Sequence, residues 1–293
     1  MPSLLTHNEQ GAVTRMNTLF VSDLDGTLLD PQSRLSQRTL DILNPLIARG
    51  LPFTYATARS FNSARIVTNG LELHLPAIIY NGTMRVDTLT GKLSHIQLLP
   101  QSVLEAVSAR TSPPGAPSPF VYSFIEGREC VSYLADRLTY GMRMYIASRP
   151  GDRRFRALDS AAKLFEGDVF YVTFVDEHAR LAGMAELARS LDCILVFQNY
   201  AHSSDPSWWL EMMPRGATKA AAIRALKTEL GYERVVCFGD SINDRSMFEI
   251  ADEAYAVGGS HPELLPFATA VIGDNEHDGV AEFLRKRFEN VGF

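Results

Sequence analysis

The sequence predicts an α/β fold carrying an inserted second domain, and three features of its 293 residues predict it. Short apolar runs break off abruptly on small polar or charged residues, and each is followed by a segment with helical spacing. Between about 87 and 211 this rhythm lapses into an α+β mixture. Continuous rather than alternating apolar runs suit strands covered on both faces, as in a parallel sheet between two helix layers.

In chain order, residues 1–17 come first. "MPSLLTHNEQGAV" has no regular pattern and lacks the basic start and apolar centre of a signal peptide, so a flexible extension is expected, with Met16 an alternative start. The run 18–22 ends on Asp23. Residues 35–49 place Leu35, Ile42, Leu43, Leu46 and Ile47 on one helical face, with Ser36 as N-cap, Gly50 as stop and Pro45 as an expected kink. The run 52–56 ends on Thr57, and 77–80 ends on Asn81-Gly82. In the second domain, 87–211, "RTSPPGAPSPF" reads as a loop, "RECVSYL", "DVFYVTFV" and "CILVFQ" as strands, and "EHARLAGMAELARSL" as a helix. The first pattern then resumes. Residues 218–230 form an alanine-rich helix ended by Gly231, and the run 235–238 ends on Gly239-Asp240. The core is therefore expected from 18–86 and 212–293.

Composition narrows the function. A net charge of −6 speaks against a nucleic-acid or anionic-membrane binder, whose affinity rests on a basic surface. Cys130, Cys193 and Cys237 are widely spaced, with no CxxC pair, and read as buried thiols in a reducing cytosol. No apolar stretch approaches a membrane span of about 18 residues. A cytoplasmic protein, monomeric or weakly homo-oligomeric, acting on a small molecule is expected.

In an open parallel sheet the loops at the carboxyl ends of the strands share one edge, where ligands bind. That edge would gather Asp23, Asp25, Thr57, Lys219, Asp240 and Asp244 from four regions of sequence. Crowded carboxylates need a counter-charge. Hard oxygen ligands at such an edge suit Mg²⁺, which keeps waters and usually touches a phosphate. One carboxylate of the 23/25 pair can bind metal and attack, while the other can reach the far side of the reacting group and move a proton.

"DLDGT" at 23–27, "TAR" at 57–59, Lys219 in "GATKAAAI" and "GDSIND" at 239–244 resemble, in order, the four motifs of the haloacid dehalogenase superfamily. Asp23 and Thr57 are 34 residues apart, too few for a domain between them, whereas 162 separate Thr57 from Lys219. That spacing is similar to the Cof-like, subclass IIB phosphatases, as are "YNGT", "HPEL" and "HDGVAEFL". The resemblance implies a Rossmann-like parallel sheet core with helices on both faces, plus an inserted α+β cap domain whose residues select the leaving group. It covers both ends of the chain well and the cap poorly. Motif two departs from the usual Thr-Gly-Arg by carrying Ala58, whose main-chain amide remains able to bind a phosphoryl oxygen.

The roles that follow are those the resemblance implies. Asp23 attacks phosphorus to form an aspartyl-phosphate. Asp25 protonates the leaving oxygen, then takes a proton from water, and its main-chain carbonyl joins Asp23 and Asp240 in binding Mg²⁺. Leu24, Thr57, Ala58, Lys219 and Asn243 hold the phosphoryl group, and Asp244 orients Lys219 or a metal-bound water. A carboxylate about 4 Å from a phosphate dianion meets roughly 8 kcal/mol of repulsion at an effective dielectric near 20, so the metal and Lys219 are needed for approach. Two rivals are a phosphomutase of the same subclass, which returns the phosphoryl group to substrate, and a silent phosphometabolite binder. The intact pair Asp23 and Asp25 speaks against the binder. His261 and His277 read as loop residues, Trp208-Trp209 as packing, and "RPGDRRFR" at 149–156 as solvated surface.

Overall fold

A computed structural model describes residues 6–7, 13–14, 17–199 and 207–289. The expected flexible extension lies outside the described residues, save for Thr6–His7, which pairs antiparallel with Val13–Thr14, and residue 17. The chain divides into two compact units, 1–95 with 218–293, and 96–217.

The first unit is built on a five-stranded, all-parallel sheet. Its order is Ala270–Val271, Glu253–Ala256, Arg234–Gly239, Thr18–Ser22, Phe53–Tyr55. Leu19, Phe20 and Val21 are consecutive and all buried, which requires cover on both faces of the central strand. The helix Gln37–Ala48 starts where Ser36 Oγ accepts from Thr39 N at 2.9 Å, and buries Ile42, Leu43, Leu46 and Ile47. It continues through Pro45, and Gly50 follows at φ 100. The terminal helix Gly279–Glu289 packs beside it, tied by Arg38 to Glu282 and by Thr39 Oγ1 to Asp278 at 2.9 Å. The helix Lys219–Leu230 is capped by Thr218, whose side chain accepts from Ala221 N at 2.9 Å, and ends at left-handed Gly231.

One run behaves differently from its expected place in the parallel sheet. Among the described residues, Ala77–Ile79 is joined to that sheet by a single parallel bridge, Ala56 to Ile78, and pairs antiparallel with Met84–Val86 instead. Asn81 at φ 55 and Gly82 at φ 100 supply the tight reversal, so the Asn-Gly that marked a strand end marks a hairpin. A Cβ on Gly82 would collide with the Thr218 carbonyl and come within 3.0 Å of Lys219 N. Gly82→Ala should therefore cost about 1–3 kcal/mol through the strained φ and the displaced helix start. Denaturant unfolding checks this; an unchanged midpoint would show that the turn relaxes freely.

The second unit holds a six-stranded sheet in the order Phe155–Leu158, Arg128–Leu134, Phe120–Ile125, Asp168–Asp176, Trp208–Pro214, Cys193–Asn199. Only the first pair is parallel. Helices Gln101–Thr111 and His178–Ser190 supply Val107, Leu181 and Met184 to a core with Val121, Val172, Phe174 and Met212. The Trp pair packs as expected: Trp208 lies 4.5 Å from the ring of His178 and Trp209 5.4 Å from that of Tyr145. The solvated reading of 149–156 is corrected at Arg154. It is buried because Glu129 and Asp152, both 2.6 Å away, neutralise it. Cys193 and Cys237 are buried, whereas Cys130 is only half-buried. Among the described residues no helix is long and apolar enough to cross a membrane.

Candidate active site

Two neighbouring strands of the first unit end on the acids. Asp23 follows Thr18–Ser22, its main-chain N donating to Phe238 O at 2.9 Å, and Asp240 follows Arg234–Gly239. Parallel pairing of these strands, with Ser22 opposite Phe238, brings their ends together. The chain then turns through Gly26 at φ 77, where a Cβ would stand 2.7 Å from the Asp240 carboxyl carbon. Only glycine permits that approach. Thr27 uses it, donating from Oγ1 to Asp240 Oδ1 at 2.7 Å.

Lys219, the first residue of its helix, is 2% exposed and carries the counter-charge. Its Nζ donates to Asp23 Oδ1 and to Asp244 Oδ1, both at 2.7 Å. The other oxygen of Asp244 accepts from the main-chain N of Asp240 at 3.0 Å and of Ser241 at 3.1 Å. Asp244 is thus wholly engaged in holding Lys219 and the 240–241 turn. Asp23, Asp240 and Asp244 each offer a carboxylate oxygen within 4.8 Å of the other two.

Three carboxylates crowd one ammonium, and the charge imbalance shows in the protonation of Asp23 and Asp240. Burial, then the charge of Asp244, raises the Asp23 carboxyl well above its ordinary range against the pull of Lys219. The same two causes push Asp240 up to about 6. Burial opposes the charge on Lys219, but Asp23 and Asp244 outweigh it and raise that ammonium. An all-oxygen set with surplus negative charge fits a hard divalent cation. Asp23 and Asp240 have the geometry to hold it; Asp244 has both oxygens occupied.

Asp25 stands apart. It is exposed, and its carboxylate is taken by Arg59 at 2.7 and 2.5 Å. Thr57 is buried, its Oγ1 accepting from Arg59 N at 3.1 Å, while Leu24 is buried and Ala58 half-buried. Asn243 is exposed on the turn Ile242–Asp244. His261 meets the site only by its main-chain N, 2.7 Å from Asp240 O, and exposed His277 pairs with Asp274. Thr27 and Arg59 are partners to which the sequence assigned no role. Both sit inside quoted motifs, and the signal available was the surplus of hydrogen-bonding groups beside Asp25 and Asp240. A cavity of about 860 Å³ within the second unit, lined by Ser118, Thr139, Asp176, His178 and Trp208 among others, contains none of the four motifs.

Known proteins resemble this chain along most of its length. The family description haloacid dehalogenase-like hydrolase matches residues 20–284. An HMP-PP phosphatase of Escherichia fergusonii is 31% identical over 287 residues, spanning 94% of this chain and 97% of its own. One from Escherichia coli O157:H7 is 31% identical over 281 residues, spanning 92% and 95%. A solved haloacid dehalogenase-like hydrolase from Bacteroides thetaiotaomicron has TM-score 0.75 at 23% identity, covering 93% of this chain and 100% of that one. A subclass IIB sugar phosphatase has TM-score 0.70 at 21% identity, covering 94% and 99%. At such identities these two structures speak for the fold alone.

Proposed function

We propose that this chain, which belongs to the haloacid dehalogenase superfamily as a Cof-like hydrolase and is a phosphatase, is a Mg²⁺-dependent phosphomonoesterase of small phosphorylated metabolites. Its route is an aspartyl-phosphate on Asp23. The observation that carries this is the buried Asp23 carboxylate, aligned by Lys219 at 2.7 Å beside Asp240, with a second acid two residues on.

Asp23 attacks phosphorus while the bond to the leaving oxygen breaks, and Asp25 supplies that oxygen with a proton. Water then attacks the acyl phosphate, giving its proton to Asp25 and freeing Asp23. Lys219 offsets the charge of Asp23 as the anionic group approaches, and Lys219, Thr57, the Asn243 side chain and the main chain of Leu24 and Ala58 hold phosphoryl oxygens. A bound Mg²⁺, held by Asp23, Asp240 and the Asp25 carbonyl, would supply the remaining positive charge and polarise the phosphoryl group. We read the insertion, expected at 87–211 and compact over 96–217, as the cap that selects the leaving group.

Sugar phosphates are the leading substrate class. A second reading, HMP-PP, is favoured by relatives of that activity at 31% identity along nearly the whole chain. A phosphate-release screen over sugar phosphates, nucleotides, cofactor phosphates and HMP-PP, with and without Mg²⁺, tests both. Excess chelator should abolish release and Mg²⁺ should restore it. Full turnover in chelator would remove the metal from the scheme, and an isomeric product without inorganic phosphate would make the enzyme a mutase.

A further inference from the structure

Arg59 grips the one carboxylate of the site that stands outside the Lys219 cluster. Its Nε donates to Asp25 Oδ2 at 2.7 Å and its Nη2 to Oδ1 at 2.5 Å, a two-point contact that fixes the plane of the carboxylate as well as its place. The fork is itself anchored. Nη1 donates to Ser63 Oγ at 3.0 Å on the helix Phe61–Val67, the Arg59 main-chain N donates to Thr57 Oγ1, and its carbonyl accepts from Tyr80 N at 3.0 Å. The Arg59 side chain is 22% exposed and that of Asp25 47%. A carboxylate so open to water would sample several rotamers, and the guanidinium removes that freedom.

We propose that Arg59 is a positioning residue that holds Asp25 in line with the leaving group and acts on the reaction through Asp25, not through the phosphoryl group. This rests on the proton-transfer role given to Asp25 above. When Asp25 donates, its O–H bond breaks as the O–H of the leaving group forms, so that oxygen must turn from Arg59 while the other keeps its N–H bond. The negative charge left on the carboxylate then lies beside the guanidinium. In the second half-reaction the same oxygen takes a proton from the attacking water.

The test compares Arg59→Gln, Arg59→Lys, Asp25→Asn and the Arg59→Gln/Asp25→Asn pair, using glucose 6-phosphate and p-nitrophenyl phosphate. Arg59→Gln should lower kcat on the alkyl phosphate about 100-fold, the scale of a misplaced catalytic group, with KM nearly unchanged. Single-turnover release of p-nitrophenol, which needs little protonation, should fall far less. Arg59→Lys keeps the charge but not the fork and should recover part of the loss. With Asp25→Asn already present, Arg59→Gln should cost less than about twofold more. Equal losses on both substrates, a raised KM and the same factor in the Asp25→Asn background would overturn the proposal and put Arg59 on the phosphoryl group. Melting curves identify a variant that fails to fold, and the Lys variant then carries the cycle with Asp25→Asn. An Asp25→Asn loss independent of leaving group would instead remove the proton-transfer role of Asp25, a failure distinct from that of Arg59.

Discussion

Asp23→Asn should abolish turnover while leaving the fold intact. An amide neither attacks phosphorus nor carries the charge that a cation would share with Asp240, and losing a covalent nucleophile costs on the order of 10⁴-fold or more in kcat. The fold should survive because Asn has the shape of Asp and its carbonyl oxygen can still accept from Lys219 Nζ, now 2.7 Å from Asp23 Oδ1. Burial and Asp244 raise the Asp23 carboxyl, so ionising it in the metal-free protein works against those neighbours, and the amide removes one of three crowded charges. Melting without metal should therefore be no lower than in the unsubstituted protein. Steady-state phosphate release and a thermal scan measure both effects. Acid-quenched protein should carry a phosphoryl group on the Asp23 peptide, absent from the variant. Undiminished turnover would move the nucleophile elsewhere.

Asp25→Asn should separate the two proton transfers. The main-chain carbonyl remains, but the amide cannot donate or accept the catalytic proton, and it offers Arg59 one acceptor where the carboxylate offers two. Proton transfer by a placed side chain is typically worth about 10²- to 10⁴-fold, so alkyl phosphates should lose about that much in the first step. With p-nitrophenyl phosphate the leaving group needs little help, while hydrolysis of the acyl phosphate still lacks its base. A burst of p-nitrophenol equal to the enzyme concentration, then a slow steady state, is the expected signature. Equal slowing of both substrates without a burst would make Asp25 a structural residue.

The acids at the strand ends were legible because an apolar run that stops on a carboxylate is a local pattern. So was the helix 219–230, with Thr218 before it and Gly231 after. The grips were not legible, since Lys219 meets Asp23 across 196 residues and Thr27 meets Asp240 across 213. The run 77–80 shows the limit of periodicity, because four apolar residues read alike as a parallel strand or one arm of a hairpin. Here positive φ at Asn81 and Gly82 decided. Glu253–Ala256 and Ala270–Val271 escaped notice because they are short, and the latter is exposed. Arg154 looked solvated because one of its two partners, Glu129, is 25 residues away and the other, Asp152, read as part of the same charged run.

The central strand of the parallel sheet also sets an order of events on the ribosome. Phe20 lies opposite Phe53 on one side and Val236 on the other, and the second of these neighbours is translated 216 residues later. At about 5–20 residues per second the delay is roughly 10 to 40 s. For that time Leu19, Phe20 and Val21 have one open edge and incomplete cover, the condition under which nascent chains recruit chaperones or associate wrongly. The unit 96–217, whose antiparallel neighbours Phe120–Ile125 and Arg128–Leu134 are adjacent in sequence, is complete before that edge can close. Asp23 gains its ammonium only when residue 219 emerges. A nascent chain released earlier has Asp23 and Asp25 but no Lys219, Asp240 or Asp244 around them.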